Sequence, residues 1–556
     1  MGADTEPGRG TTLVAGQVLE TAMEAAARVS VEPTSQIPFQ SQGRVLVIGE
    51  CTDALALIDL ALIDKVQSAD LVFCVLVPGP VENTSGVTVP VLFAGGREIR
   101  IEGHFGAFSV KLGDGGGEVD LTAVLDREQR KFDLLVDLWE PPRLSYPVLP
   151  LGYYAPGPDP EARRQVLAEL PEMVGEFSKP KFFQYDPEIC AHGNSGLRGC
   201  TRCLDTCPTG AITSLAERIQ IDPFYCQGGG SCATACPTGA IVYSYPRPRD
   251  MLNRLRTLLR SYRDQGGGAP CLLFHDGDAG RALVTDAGDG LVDGLVPIEV
   301  EELGSVGPDV WLAALCYGAA RVLLLDVPTV PASVREEIDG QIKVIRALLT
   351  GLGYPAPVLE RIRSLPLEPS APTQAMPPLQ PTGFAGSNVK RDTLFLAIDH
   401  LAARSRGSER VLAMPEPAPF GEILVDQSAC TLCMACVSVC PASALGDGAD
   451  RPLLSFIERN CVQCRLCERA CPESAITLNP RVLLDRQQRK APRVLNEEPP
   501  FCCIACGAPF ATRSVIERMT TKLRGHSMFS DDAALRRLQM CGDCRVKDMF
   551  AADTED

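Results

Sequence analysis

The run Cys430-x2-Cys433-x2-Cys436-x3-Cys440-Pro441 is followed, after a short interval, by Cys461-x2-Cys464-x2-Cys467-x3-Cys471-Pro472. An iron–sulfur cubane needs four thiolates converging on one inorganic core, and three cysteines on a tight loop with a fourth from afar supply them. The proline ends each loop. Zinc sites normally come as separated Cys-x2-Cys pairs, not as triplets each followed by Cys-Pro, so the spacing points to cluster chemistry rather than to zinc or unpaired structural thiols.

A second cysteine region reads Cys190-x9-Cys200-x2-Cys203-x3-Cys207-Pro208 and then Cys226-x5-Cys232-x3-Cys236-Pro237. All four Cys-Pro sites share one hexapeptide pattern: CPTGAI at 207 and 236, CPASAL at 440 and CPESAI at 471. Asp186, Asp222 and Asp426 each stand four residues before the first cysteine of a run, so the two regions read as an internal repeat. The first copy departs from the pattern twice. An insertion, AHGNSGLRG, displaces Cys190 and leaves Leu197 where regular spacing puts a ligand; Gly229 takes the place of a second cysteine. His192, alone in a polar loop, is expected to be solvated rather than a ligand.

All eight cysteines and both prolines between 430 and 472 resemble the bacterial-type dicluster ferredoxin family. The resemblance implies crossed ligation, with the fourth cysteine of each run serving the other cluster. That gives set A (Cys430, Cys433, Cys436, Cys471) and set B (Cys461, Cys464, Cys467, Cys440), each for a [4Fe–4S] cluster. Carried onto the first copy, it gives set C (Cys190, Cys200, Cys203, Cys236) for a further [4Fe–4S] cluster if the insertion loops out. Set D keeps only Cys226, Cys232 and Cys207, enough for a [3Fe–4S] centre or a cubane with one iron open; loss of this cluster is the alternative.

Near the C-terminus, Cys503-x2-Cys506 and Cys541-x2-Cys544 form two knuckles that suit a tetrahedral zinc. An iron–sulfur centre and a metal-free pair stay open, because the interval is longer than usual for a zinc ribbon, and Cys502 is a spare thiol.

The elements that must carry these residues are read from periodicity. The fold class expected is α+β and α/β multidomain: two ferredoxin-like dicluster modules alternating with two α/β domains, plus the small knuckle. The segments are a flexible tail (1–40), an α/β domain (41–150), the degenerate module (178–247), a second α/β domain (266–362), a Pro-rich linker (363–390), the complete module (415–480) and the knuckle (500–550). The first α/β domain starts with the strand Val45–Ile48 and lacks a G-x-G-x-x-G, so no nucleotide site is expected there; GDGGG at 113–117 reads as a hairpin loop. Helices are expected over 160–177 and 512–538, a solvated connector over 481–495, and small buried apolar roles for Cys51 and Cys74. The segment VEELGSVGPDVWLAALCYGAARVLLL resembles the delta subunit of methyl-viologen-reducing hydrogenases. That family's [2Fe–2S] centre does not carry over, since Cys271 and Cys316 are the only cysteines of the region.

A formal net charge of −17 excludes a basic phosphate-binding footprint, so no nucleic-acid partner is expected and a basic protein partner suits better. No run of 18 uncharged apolar residues exists and the first twenty residues show no leader pattern, so the chain is read as cytoplasmic, without membrane insertion. In a reducing compartment most of its 24 cysteines are expected to be ligands, and none to form disulfides. The function expected is electron relay between a cytoplasmic donor and a partner oxidoreductase, with no independent catalytic site. The domain order resembles large ferredoxin-type proteins encoded with bacterial formate dehydrogenases, which implies such an enzyme, or another molybdenum enzyme, as partner. Two alternatives stay open: an accessory factor that matures a molybdenum or iron–sulfur enzyme, and an iron–sulfur subunit in the manner of heterodisulfide reductases.

Overall fold

The computed structural model describes residues 10–552 apart from 64–70, 80–88, 114–116, 122–130, 355–357, 366–380, 406, 408, 449–450 and 530. Much of the 363–390 linker and the middle of the 113–117 loop therefore lie outside the described residues, although the flanking strands Ser109–Gly113 and Glu118–Asp120 do pair antiparallel.

The strand Arg44–Ile48 is buried on both faces, and its continuous apolar run reflects that position in a parallel sheet. It lies centrally, with Val72–Val77 and then Val91–Phe93 on one side, and Leu134–Asp137 and Tyr153–Tyr154 on the other, all parallel. At its start Asp133, fully buried, accepts hydrogen bonds from the backbone N–H groups of Gln42 and Arg44 and from both Nε and Nη2 of Arg44, at 2.9–3.0 Å. Removing one member of such a pair strands the other charge. Asp133→Ala is expected to destabilise this sheet by about 3–5 kcal/mol, read as lost amide-exchange protection in the strand Arg44–Ile48.

Two expectations fail nearby. Residues 10–41 are not a tail: the helix Gly10–Ala27 buries Val18, Ala22 and Ala26 against the helix Pro248–Asp264, and Gln36–Ser41 pairs with Gly175–Pro180. The helix expected over 160–177 stops at Glu169, where a short 3-10 turn containing Pro171 leads into that second strand. Proline cannot continue a helix, and the strand Gly175–Pro180 takes its pairing from the distant Gln36–Ser41.

A second parallel sheet runs in the order Leu295–Val300, Cys271–Asp276, Arg321–Leu325, Leu359–Ile362. Its helix Pro308–Tyr317 is buried at every residue, with Trp311 in the centre, because the helices Pro248–Asp264 and Lys390–Ala402 pack against it. The helix Lys390–Ala402 thus belongs to this core through Leu394, Phe395, Ala397, Ile398 and Leu401. Leu412, Met414, Phe420 and Val482, from the border of the second cysteine region, complete the same core. The described ends of the linker are packed, with Leu365 and Phe384 against this core.

Each cysteine region is built on short antiparallel pairs. In the first they are Phe183–Tyr185 with Ile241–Tyr243 and Ile212–Leu215 with Arg218–Ile221. In the second, Gly421–Val425 pairs with Ile476–Leu483, and Leu445–Asp447 with Leu453–Phe456. The expected solvated connector is instead structural: Arg493–Glu497 adds a strand to Leu453–Phe456, and Arg489 is fully buried. Arg481 and Arg493 both pair with the buried carboxylates of Glu422 and Glu458, so the local excess of basic residues answers interior acids. The helix expected over 512–538 is broken into Arg513–Leu523, a 3-10 turn at Ser527–Phe529 and Asp532–Arg537. No helix among the described residues is long and apolar enough to cross a membrane.

Candidate iron–sulfur and metal centres

The three aspartates that precede cysteine runs share one local job. Asp186 accepts from the N–H of Glu188, Asp222 from Phe224 and Tyr225, and Asp426 from Ser428 and Ala429. Each turns the chain from strand into ligand loop. The bonds from Ser428 hold the Asp426 carboxyl below its ordinary range, which keeps it the anion those donors need. In the fourth run Ile457 stands at this place, without a side-chain cap.

The ligand loops bend through left-handed residues at fixed offsets. Leu432 and Met434 follow Cys430 by two and four, and Gln463 and Arg465 follow Cys461 in the same way, all with positive φ. Gly228 and Gly230 follow Cys226 at the same offsets with φ of 82° and 71°. The loop of set D therefore keeps the bend of the complete loops even though Gly229 stands where they carry Cys433 and Cys464.

The crossed partners come together. Cys436 is pushed up to about 12 by burial and then by the charges of Cys430, Cys433 and Cys471. Cys467 is raised by burial and by Cys461, Cys464 and Cys440, and these four thiols line one cavity walled by Ile423, Phe456 and Leu466. Cys203 is raised by burial and by Cys236, Cys200 and Cys190. Burial raises Cys232, and Cys226 and Cys207 are the first charges to add to it. Thiols buried in mutual repulsion are stable as neutral groups, or as thiolates around a shared cation; iron–sulfur cores are such cations, and loading them releases protons. The residues fit the group.

The insertion after Cys190 loops out as a hairpin, Gly193–Asn194 against Leu197–Arg198, with Ser195 and Gly196 left-handed at its tip. His192, expected in solvent, is buried: its Nδ1 lies 2.8 Å from the Cys200 carbonyl and its Nε2 2.7 Å from Ser214 Oγ. It fixes the displaced loop back onto the ligand strand. The surrounding polar sequence hid this role, since the hairpin that buries the ring is itself the insertion.

The hexapeptides differ in how they treat sulfur. In CPTGAI the threonine hydroxyl lies 3.5 Å from the cysteine sulfur, Thr209 on Cys207 and Thr238 on Cys236. In the other two the donor is a backbone N–H at 3.3 Å, Ala444 on Cys440 and Ala475 on Cys471. Donors to sulfur stabilise the reduced, more negative cluster.

The two modules touch through their ligand loops. Cys464, pushed up to about 12 by burial and then by Cys461 and Cys440, also feels Cys200 of the other module. Leu466, fully buried, packs so closely on Gly199 that a Cβ there would stand 2.9 Å from its Cγ. Within each copy, Cys467 feels Cys436, and Cys232 feels Cys203 and Cys236. The sets therefore follow one another in the order A, B, C, D.

Cys503, Cys506, Cys541 and Cys544 form the one group of metal-ligating side chains among the described residues whose ligand atoms all lie within 4.8 Å of one another. Cys506 and Cys541 sulfurs are 3.7 Å apart. That matches the edge of a tetrahedron with metal–sulfur bonds of about 2.3 Å, so the site suits a single ion. Burial raises the Cys503 thiol, but N–H groups of Cys541, Cys506 and Ala505 outweigh it and hold it at about 6. Cys502 beside it is exposed. Cys506→Ser is expected to remove this one ion while leaving iron and sulfide unchanged, as metal analysis of the purified protein will show.

Two family profiles, both described as a 4Fe-4S dicluster domain, match residues 197–240 and 429–476. The first begins at Leu197, past Cys190. No curated protein matches the chain. The chain thus carries two ferredoxin-type 4Fe-4S dicluster domains, which imply [4Fe–4S] clusters within a mixed helix-and-strand multidomain protein.

Proposed function

We propose that the protein is a four-cluster electron relay, with sets A, B and C each holding a [4Fe–4S] cluster, set D a [3Fe–4S] centre, and the C-terminal knuckle a structural zinc. The observation that carries this reading is the packing of Leu466, from the loop of set B, on Gly199 beside Cys200 of set C, which joins two dicluster domains into one path instead of leaving two separate ferredoxins. Cluster chemistry at thiolates moves electrons without breaking bonds in the protein, so holding the centres in line is the whole task.

Cys433 is exposed, whereas set D lies beneath both parallel-sheet regions: Gln227 donates to Leu149 of the first, and the Gly229 carbonyl abuts Gly304 of the second. Set A is the port for a soluble redox partner in the cytoplasm. A formate dehydrogenase or another molybdenum enzyme is the partner that the domain order suggests, testable by co-purification. The central test is anaerobic purification with iron, sulfide and zinc counts and electron paramagnetic resonance in both oxidation states. Reduced cubane signals coupled along the chain are expected; zinc without acid-labile sulfide would end the relay reading.

A further inference from the structure

The helix Lys390–Ala402 begins with two cations, Lys390 and Arg391, and has no side-chain cap. Cations are unfavourable at a helix N-terminus, because the macrodipole already places positive charge there. Both point at the junction between the two cysteine regions. Lys390 Nζ donates to the carbonyls of Ala233, at 3.1 Å, of Thr234, and of Cys236, at 3.3 Å. Arg391 reaches across: its Nη1 donates to Pro237 and Pro419, and its Nη2 to Arg459, at 2.6 Å, and Cys461, at 3.0 Å.

We propose that Lys390 and Arg391 raise the reduction potentials of the two clusters that meet at the junction, B and C, and so make the junction the resting place of the electron. This rests on the reading of both cysteine regions as cluster carriers. One residue touches the backbone of a set C ligand and the next that of a set B ligand, so one helix turn serves both centres. Among the described residues no carboxylate ion-pairs with either cation; the adjacent Asp392 pairs with Arg459 instead. Asp309 and Glu337 act on Lys390 only from farther away, and burial raises the Asp309 carboxyl towards its neutral form. Burial pulls both side chains down, Arg391 to about 10; the guanidinium stays charged, and the three carbonyls around Lys390 Nζ match the three donors of an ammonium. A cluster with four thiolates is an anion that gains a further negative charge on reduction, so un-neutralised cations beside it favour the reduced state. The positive end of the helix adds to the same field.

The test is a redox titration of the full-length holoprotein, followed by electron paramagnetic resonance, for the wild type and for Arg391→Gln, Lys390→Gln and Arg391→Lys. At the potential that half-reduces B in the wild type, Arg391→Gln is expected to lower its reduced-to-oxidised ratio by roughly tenfold, as loss of one partly buried charge does. Lys390→Gln is expected to act in the same sense on C, and Arg391→Lys to keep wild-type behaviour. Gln variants that load all clusters and titrate as the wild type overturn the proposal, whereas a wild type without acid-labile sulfide overturns the relay reading itself. Should a Gln variant fail to assemble, the wild-type order decides. B and C titrating above A supports the clamp; A titrating at or above both overturns it.

Discussion

Gly229→Cys is expected to replace the oxidised [3Fe–4S] signal of the isolated protein with a further reduced [4Fe–4S] signal. The loop geometry is why one substitution suffices. Gly229 has ordinary backbone angles, between two left-handed glycines that match the bends around Cys433 and Cys464. A Cβ there meets only Pro208 Cγ, at 3.8 Å, an ordinary contact. A fourth thiolate enters without displacing backbone, and a fourth iron then has its ligand. Cys232→Ser is the control, expected to abolish the signal in both backgrounds. A well-folded Gly229→Cys protein with the wild-type spectrum would show that the new thiolate does not complete a cubane at this loop, and a spectrum unchanged by Cys232→Ser that the loop holds no cluster.

Cys464→Ser is expected to cut the path. It removes a ligand of B where the ligand loops of the two modules face each other, so the signal of B is lost, while A and C keep complete ligand sets. An electron donor presented at A then reduces A alone, and reduction of C falls to its bimolecular background. Stopped-flow reduction resolved by centre reads the effect. Unimpaired reduction of C would mean that electrons enter the first module separately and that the apposition of the two ligand loops is only packing. Because Leu466 remains to hold Gly199, loss of the path does not require loss of the interface.

The ligand loops were legible in the sequence because their geometry is local: spacing, proline and the aspartate turn act within a dozen residues. What escaped was set by partners far along the chain. The helix Gly10–Ala27 looks unattached until Pro248–Asp264 covers its apolar face, and the first half of the strand Gly175–Pro180 looks helical until Gln36–Ser41 pairs with it. Arg481 and Arg493 read as surface charge, since nothing nearby announces Glu422 and Glu458 as interior acids. Lys390 reads as the last residue of a linker, and Arg391 lies just past it, for the same reason. His192 looked solvated because its insertion looked like a loop.

The turn Leu303–Ser305 presses so tightly on the loop of set D that a Cβ on Gly304 would stand 2.5 Å from the Gly229 carbonyl. That turn is synthesised after every cysteine of the first module. Entry of an inorganic core past Gly229 in the finished protein therefore requires this turn to lift. Air should bleach the relay first at its exposed end, Cys433.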